Sequence, residues 1–197
     1  MKKYKRLPYS KAICYSGYRD GQSPDGNNLP SYEQVKQDLL ILKGEWTSLR
    51  LYASDAHSDT IMDVIRTEKL PFDVMLGAYI TAEQSNPNCP WGGIYSEEQL
   101  AENKRDNLRQ IDRLIQMTNE YDDIVSCVSI GNEAAVEWTD HLVSTEQLIK
   151  YAKMARLGVK QPVTFCENYV PWLNKLKPLA EQLDIISIHT YPVWEYK

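Results

Sequence analysis

An asparagine and a glutamate at the end of an apolar run are the pair in this chain best suited to chemistry. Ile124-Val125-Ser126-Cys127-Val128-Ser129-Ile130 reads as a strand built for a core, and it passes directly into Gly131-Asn132-Glu133. Breaking a glycosidic bond needs a proton on the leaving oxygen and a second carboxylate across the anomeric carbon. A glutamate fixed at a strand tip supplies that proton if partial burial raises its pKa. An asparagine beside it can bond a sugar 2-hydroxyl, a contact that strengthens as oxocarbenium character develops. Glu133 therefore reads as a general acid/base and Asn132 as a substrate clamp. The plain alternative is a loop that caps the next helix, because an Asn-Glu dipeptide alone is a weak motif.

Other apolar runs end on residues of similar type. They close on Tyr15-Ser16-Gly17-Tyr18-Arg19-Asp20, Arg50-Leu51-Tyr52, Tyr79, Glu167-Asn168-Tyr169 and His189-Thr190-Tyr191-Pro192-Val193-Trp194. Phenol and indole faces pack on pyranose rings, while carboxylates and amides bond hydroxyls, so this rim reads as a sugar-binding cleft that includes Tyr15 and Tyr18. Glu167 is expected as a substrate contact or a modulator of the Glu133 pKa, with a solvated loop residue as the alternative. A retaining pair of carboxylates must sit about 5–5.5 Å apart across the sugar, and neighbouring strands usually place theirs on one side of it. Arg50 has a structural ion pair as its alternative, and Trp194 a packing role.

The elements that must position these residues alternate. Six runs, 12–15, 47–52, 73–80, 124–130, 162–166 and 184–189, are rich in Val, Ile and Leu, as in a parallel sheet covered on both faces. Between them, Ser31, Ser96 and Ser144 precede helical patterns with Gln34, Gln99 and Gln147 three residues on, the spacing of a capping box. The longest helix is expected from about 97 to 121, with Leu108, Ile111, Leu114, Ile115 and Thr118 facing inward and Lys104, Arg105, Arg109 and Arg113 facing water. Gly158 is expected just past the end of the helix after Ser144. The longest irregular piece is 81–95. Strand–helix alternation of this kind gives an α/β fold. A doubly wound nucleotide-binding sheet would carry a glycine-rich phosphate loop, and neither G-x-G-x-x-G nor a P-loop is present. A (β/α)₈ TIM-barrel type, whose chemistry lies at the strands' C-terminal ends, fits instead. Residues 1–197 read as a single barrel domain.

Bulk properties narrow the partners. With 43% hydrophobic and 25% charged residues the composition is that of a globular protein, and a net charge of −5 with no basic cluster argues against nucleic acid. The basic start lacks the apolar stretch of a signal peptide, and no run reaches the ~20 apolar residues of a membrane span. The chain is thus expected to be cytoplasmic as given, or extracytoplasmic if its start is processed or trimmed. Four cysteines without a C-x-x-C pair and three scattered histidines, His57, His141 and His189, give no metal-ligand spacing. No metal and no cofactor are expected.

Several stretches resemble glycoside hydrolase family 17, in its bacterial branch of β-1,3-glucan-active enzymes. They are ICYSGYRDGQSPDG, SYEQVKQDLLILKG, SLRLYASD, VMLGAYI, VSIGNEAAV, PVTFCENYVPWL and DIISIHTYPVWE, in order over almost the whole chain. The resemblance implies a (β/α)₈ barrel that acts with retention on β-1,3-glucans such as laminarin, by hydrolysis or transglucosylation. It implies Glu133, in the GNE stretch, as the acid/base, and it puts Arg50, Tyr52, Tyr191 and Trp194 along the cleft. Val193 departs from it, standing where the family commonly has a second aromatic residue. The superfamily's nucleophile, a glutamate at the end of the seventh strand within E-T-G-W, has no counterpart here. Eight β/α units take on the order of 250 residues, so about six are expected in this chain. That makes it a partial barrel, or one completed by another polypeptide, with association through its open edges. The alternative function is a non-catalytic β-glucan-binding remnant.

Overall fold

The computed structural model describes Leu7 and residues 9–195. Six strands pair in sequence order and all in parallel: β1 (Ala12–Cys14), β2 (Ser48–Leu51), β3 (Asp73–Gly77), β4 (Val125–Asn132), β5 (Val163–Asn168) and β6 (Ser187–His189). Each of the six apolar runs overlaps one of these strands, and β4 and β5 each extend two residues beyond their run. The chain returns through α1 (Tyr32–Leu42), α2 (Ala56–Thr67), α3 (Glu97–Glu120), α4 (Thr145–Gly158) and two short helices, α5 (Tyr169–Asn174) and α6 (Lys177–Ala180). A further turn of helix, α7 (Pro192–Glu195), follows β6.

One contact shows that the sheet curls. Strands lie about 4.8 Å apart, so a flat sheet would hold β2 and β6 about 19 Å from each other. Arg50 Nη1 on β2 nevertheless lies 3.0 Å from His189 Nε2 on β6. The six strands form a half-barrel of the (β/α) type, and their unbroken order has no reversal of the doubly wound kind.

The two faces of the sheet differ in chemistry. Leu49, Leu51, Val74, Leu76, Val128, Ile130, Val163 and Phe165 are buried in one core with Val35 and Leu39 of α1, Ile61 and Met62 of α2, Ile111 and Leu114 of α3, and Leu148 and Tyr151 of α4. The alternate residues line a concave cavity of about 190 Å³, among them Ala12, Cys14, Ser48, Arg50, Asp73 and Cys127. There Asp73 Oδ1 accepts from Ser48 Oγ at 2.6 Å and from Ser126 Oγ at 3.0 Å. A barrel interior is usually filled by large branched side chains, whereas this one carries Ser48, Arg50, Asp73 and Ser126 among its apolar residues.

The helix signals hold in part. Ser31 and Gln34 form a complete capping box, while Ser96 and Ser144 accept from the backbone N–H of Gln99 and Gln147. The Gln99 side chain bonds Asn103 instead. The inward face of α3 is corrected: Leu108 is exposed, Ile115 is only half-buried, and Asn103 and Asn107 are buried with Ile111, Leu114, Met117 and Thr118. Those two amides reach the loop after β3, Asn103 donating to Ala82 O and Asn107 to Thr81 O, each at 2.8 Å. An apolar count along the helix misses them because their partners are backbone atoms distant in sequence. Gly158 is corrected too. It is the last residue of α4 rather than a residue beyond it, and a Cβ there would lie 2.6 Å from Ile115 Cγ2. Among the described residues, no helix is long and apolar enough to cross a membrane.

Candidate active site

The tip of β4 is shaped by close packing. A Cβ on Gly131 would lie 2.7 Å from Ile80 Cδ1 and 3.1 Å from Phe165 Cε2, and the β4–β5 register shifts between Ser129 and Asn132. Such irregularities bend a strand and re-aim its side chains. Glu133 follows with φ +48°, a left-handed conformation that non-glycine residues seldom adopt. Its N–H donates to Cys166 O at 2.9 Å, so β5 supports the turn.

Several side chains converge there. His189 Nδ1 donates to Glu133 Oε1 at 2.7 Å, and Tyr191 Oη donates to the same oxygen at 3.2 Å. Arg50 Nη2 donates to Asn132 Oδ1 while Nη1 meets His189 Nε2, so one guanidinium orients both the amide and the imidazole. His141, paired with Asp140 Oδ1 at 2.6 Å, donates from Nε2 to the Asn132 carbonyl at 2.9 Å. The Arg50 guanidinium also lies over the Tyr52 ring, 4.6 Å from its centroid.

The electrostatics differ from the sequence expectation. The hydrogen bond from His189 outweighs burial and, with help from Tyr191, holds the Glu133 carboxyl below the usual range; a raised value had been expected. For His189, burial alone would lower the pKa, but Cys166 and Glu133 overcome it and lift it to about 9. Arg50 opposes that lift. Nε2 accepts from its N–H only while the ring is neutral, so protonation of His189 gives up that contact.

Glu167 departs most from its expected place. It is fully buried, and its two oxygens accept from Ala135 N and Asn168 N, each at 2.7 Å. It presents no oxygen to a ligand and cannot serve as an open substrate contact in this geometry. Burial pushes its pKa up to about 7 against the pull of the two amides. Tyr15 is also inward, with its hydroxyl committed to Asp38 Oδ2 at 2.9 Å, so it forms wall rather than rim.

Two pockets lie among the strand-end loops. One of about 450 Å³ is bounded by Tyr18, Tyr52 and Tyr79 with Asp25, Asp55 and His57, at the ends of β1 to β3. Tyr52 connects it to the centre through Arg50, and Tyr79 through His141, whose ring lies 6.3 Å away. The other, about 460 Å³, is lined by Asn86, Ala135, Glu137, Trp138, Asn168 and Lys175. Trp138 lies 5.9 Å from Trp91, ring to ring.

The structure thus brings Asn132, Glu133, Arg50 and Tyr191 together, sets Tyr52 against Arg50, puts Tyr18 in the pocket that Tyr52 also lines, and leaves Trp194 84% exposed on α7. Sequence reasoning missed His189, His141 and Trp138 as parts of the site. The sequence sets His189 at the rim without a role of its own, and His141 carries no signal beyond the absent metal spacing. The available signal was the place of His189 at the end of its apolar run. Among the described residues, no group of three or more His, Cys, Asp or Glu is placed to hold a metal ion.

Comparison with known proteins follows the same outline. The family model of the BtgE/BtgC glycoside hydrolase domain matches residues 12–197. Among solved structures, the chain is similar to an endo-laminarinase from Formosa Hel1_33_131, with 28% identity and a TM-score of 0.74 over 94% of this chain and 50% of that one. It is also similar to an active-site mutant of Rhizomucor miehei β-1,3-glucanosyltransferase in complex with laminaritriose, with 17% identity, a TM-score of 0.66 and coverage of 94% and 58%. A GH113 β-1,4-mannanase has 14% identity, a TM-score of 0.55 and coverage of 81% and 58%. The last two, at such low identity, attest to the fold. The chain spans between half and three-fifths of the length of these structures. A search among curated proteins finds no match.

Proposed function

Because this chain belongs to the BtgE/BtgC glycoside hydrolase domain family, we propose that it carries the acid/base half of a retaining glycosidase or transglucosylase for β-1,3-glucan, akin to family 17. The carrying observation is the tip of β4: Glu133 with Asn132 before it, the two held by His189, Tyr191 and Arg50. The similarity to an endo-laminarinase at 28% identity supports β-1,3-glucan as the substrate class. In this reading Glu133 protonates the leaving oxygen and Asn132 bonds the 2-hydroxyl of the sugar under attack. Tyr18, Tyr52 and Tyr79 offer ring faces to neighbouring sugar units in the pocket beside the centre.

The resting site holds Glu133 ionised, so the entering sugar has to loosen the bond from His189. Burial, which by itself raises the Glu133 pKa, then favours uptake of a proton from solvent by the carboxylate, and that proton is the one passed to the leaving oxygen. Glu167, with both oxygens on backbone amides, is not poised as the nucleophile. The same two observations favour a second reading, binding of β-glucan without turnover.

The test is to incubate the chain and Glu133→Gln with laminari-oligosaccharides, follow products by chromatography and measure binding by calorimetry. Products from the parent chain alone, with similar binding by both, support the acid/base reading. Equal binding and no products from either support the second reading. Binding of no β-glucan by either would remove both.

A further inference from the structure

We propose that Glu167 is a positioning residue for Glu133, its buried carboxylate tying the turn after β4 to the tip of β5. The tie keeps Glu133 in the left-handed backbone that aims its side chain at His189 and Tyr191. The catalytic consequence rests on the acid/base reading above, while the positional one does not.

The argument begins with the backbone. Among the described non-glycine residues, only Lys69 and Glu133 have positive φ. That conformation costs a non-glycine residue free energy and persists only where the surroundings over-determine it. Besides the bond from His141 Nε2 to the Asn132 carbonyl, three bonds hold this turn. Glu133 N donates to Cys166 O at 2.9 Å, Val143 N donates to Ala134 O at 2.8 Å, and Ala135 N donates to Glu167 Oε2 at 2.7 Å. The first two are backbone pairings that any sequence could make. The third depends on one side chain.

The chemistry of that side chain is selective. Glu167 Oε1 accepts from its neighbour Asn168 N while Oε2 accepts from Ala135 N, so each oxygen serves one amide on each strand tip. An ionised carboxylate is acceptor-only and suits both donors; a carboxamide would set its NH₂ against one of them. An apolar residue would leave both amides buried without partners. Among the described residues no cation pairs with Glu167, so these two N–H groups stand in for a counter-ion. A buried carboxylate is costly to keep, and core packing alone gives no reason for one at this place. Holding the Glu133 turn does.

The experiment compares the chain with Glu167→Gln. Turnover of laminari-oligosaccharide should fall about 100-fold, the loss expected from misplacing a reacting group by about 1 Å, with affinity changed less than about 3-fold. The titration of the His189 ring, followed by NMR, should move down toward the ~6.5 of an unperturbed histidine as Glu133 leaves it. An unmoved His189 titration in a folded variant would overturn the proposal, as would lost affinity with turnover kept, which would mark a sugar contact. If the parent chain itself shows no turnover, the acid/base reading fails, and the His189 shift still decides the positional claim. If Glu167→Gln does not fold, amide exchange in the parent decides. Ala135 and Asn168 should be as protected as the β4–β5 ladder, and loop-like exchange would contradict the tie.

Discussion

His189 Nδ1 lies 2.7 Å from Glu133 Oε1, so a residue at the tip of β6 governs the charge of a carboxylate at the tip of β4. The sheet must curl for the two to meet, and the fold is thereby coupled to the chemistry. Removing the ring in His189→Ala removes the largest influence that lowers the Glu133 pKa, and the carboxyl should titrate at higher pH by ¹³C NMR. Because the fold depresses this pKa, the interaction adds stability above the unfolded value near 4.5 and loses it as pH falls through the folded one. His189→Ala should therefore flatten that part of the acid-unfolding curve. An unshifted Glu133 titration would contradict the assignment.

Glu167 should produce the opposite slope. Its folded pKa is raised from 4.5 to about 7, so the native state binds more protons than the unfolded chain between those values. Its contribution to stability is complete below about pH 4.5 and is lost as pH rises toward 7. At about 1.4 kcal/mol per pH unit, the loss is about 3 kcal/mol. Urea unfolding at a series of pH values should show this decline in the parent chain and not in Glu167→Gln. Parallel curves would show that Glu167 does not titrate in this range.

Gly77 closes β3 where the backbone of β2 comes nearest. An added Cβ would lie 2.7 Å from Leu51 O and 2.8 Å from Tyr52 O, atoms that cannot turn aside as a side-chain end can. Gly77→Ala should cost about 3 kcal/mol, the upper part of the range for overpacking, measured as a lower denaturation midpoint. A midpoint within error of the parent would mean that the strands separate more easily than their packing indicates.

Arg50 serves Asn132 through Nη2 and His189 through Nη1. A lysine keeps the charge but offers a compact ammonium in place of a planar fork. Arg50→Lys should lower kcat/KM on laminari-oligosaccharide about 100-fold by misplacing both partners. Full activity would show that charge alone suffices there.

The strands, the helix starts and the placing of Asn132 and Glu133 at a strand tip were legible because they depend on residues close in sequence. An apolar run of four to eight residues states its own burial, and Ser31 with Gln34 states its own cap. What stayed hidden depends on the far side of the curl. Nothing near His189 in the chain announces that Glu133, 56 residues earlier, will meet its ring. Glu167 reads as a rim residue because it follows directly on its run, but β5 continues to Asn168 and the side chain is folded onto backbone amides. The pKa of Glu133 went the wrong way for a related reason. Burial could be guessed from position, whereas the stronger pull of His189 could not. The buried Asn103 and Asn107 of α3 were passed over because they serve a distant loop.

The central claim, that Glu133 is the proton donor to the leaving group, is tested most directly by varying that leaving group. Aryl β-glucosides ranging from poor to good leaving groups would be assayed with the parent chain and with Glu133→Gln. A good leaving group departs without a proton, so the claim predicts that Glu133→Gln loses activity steeply on poor leaving groups and keeps most of it on the best. An equal loss across the whole series, or none, would contradict it.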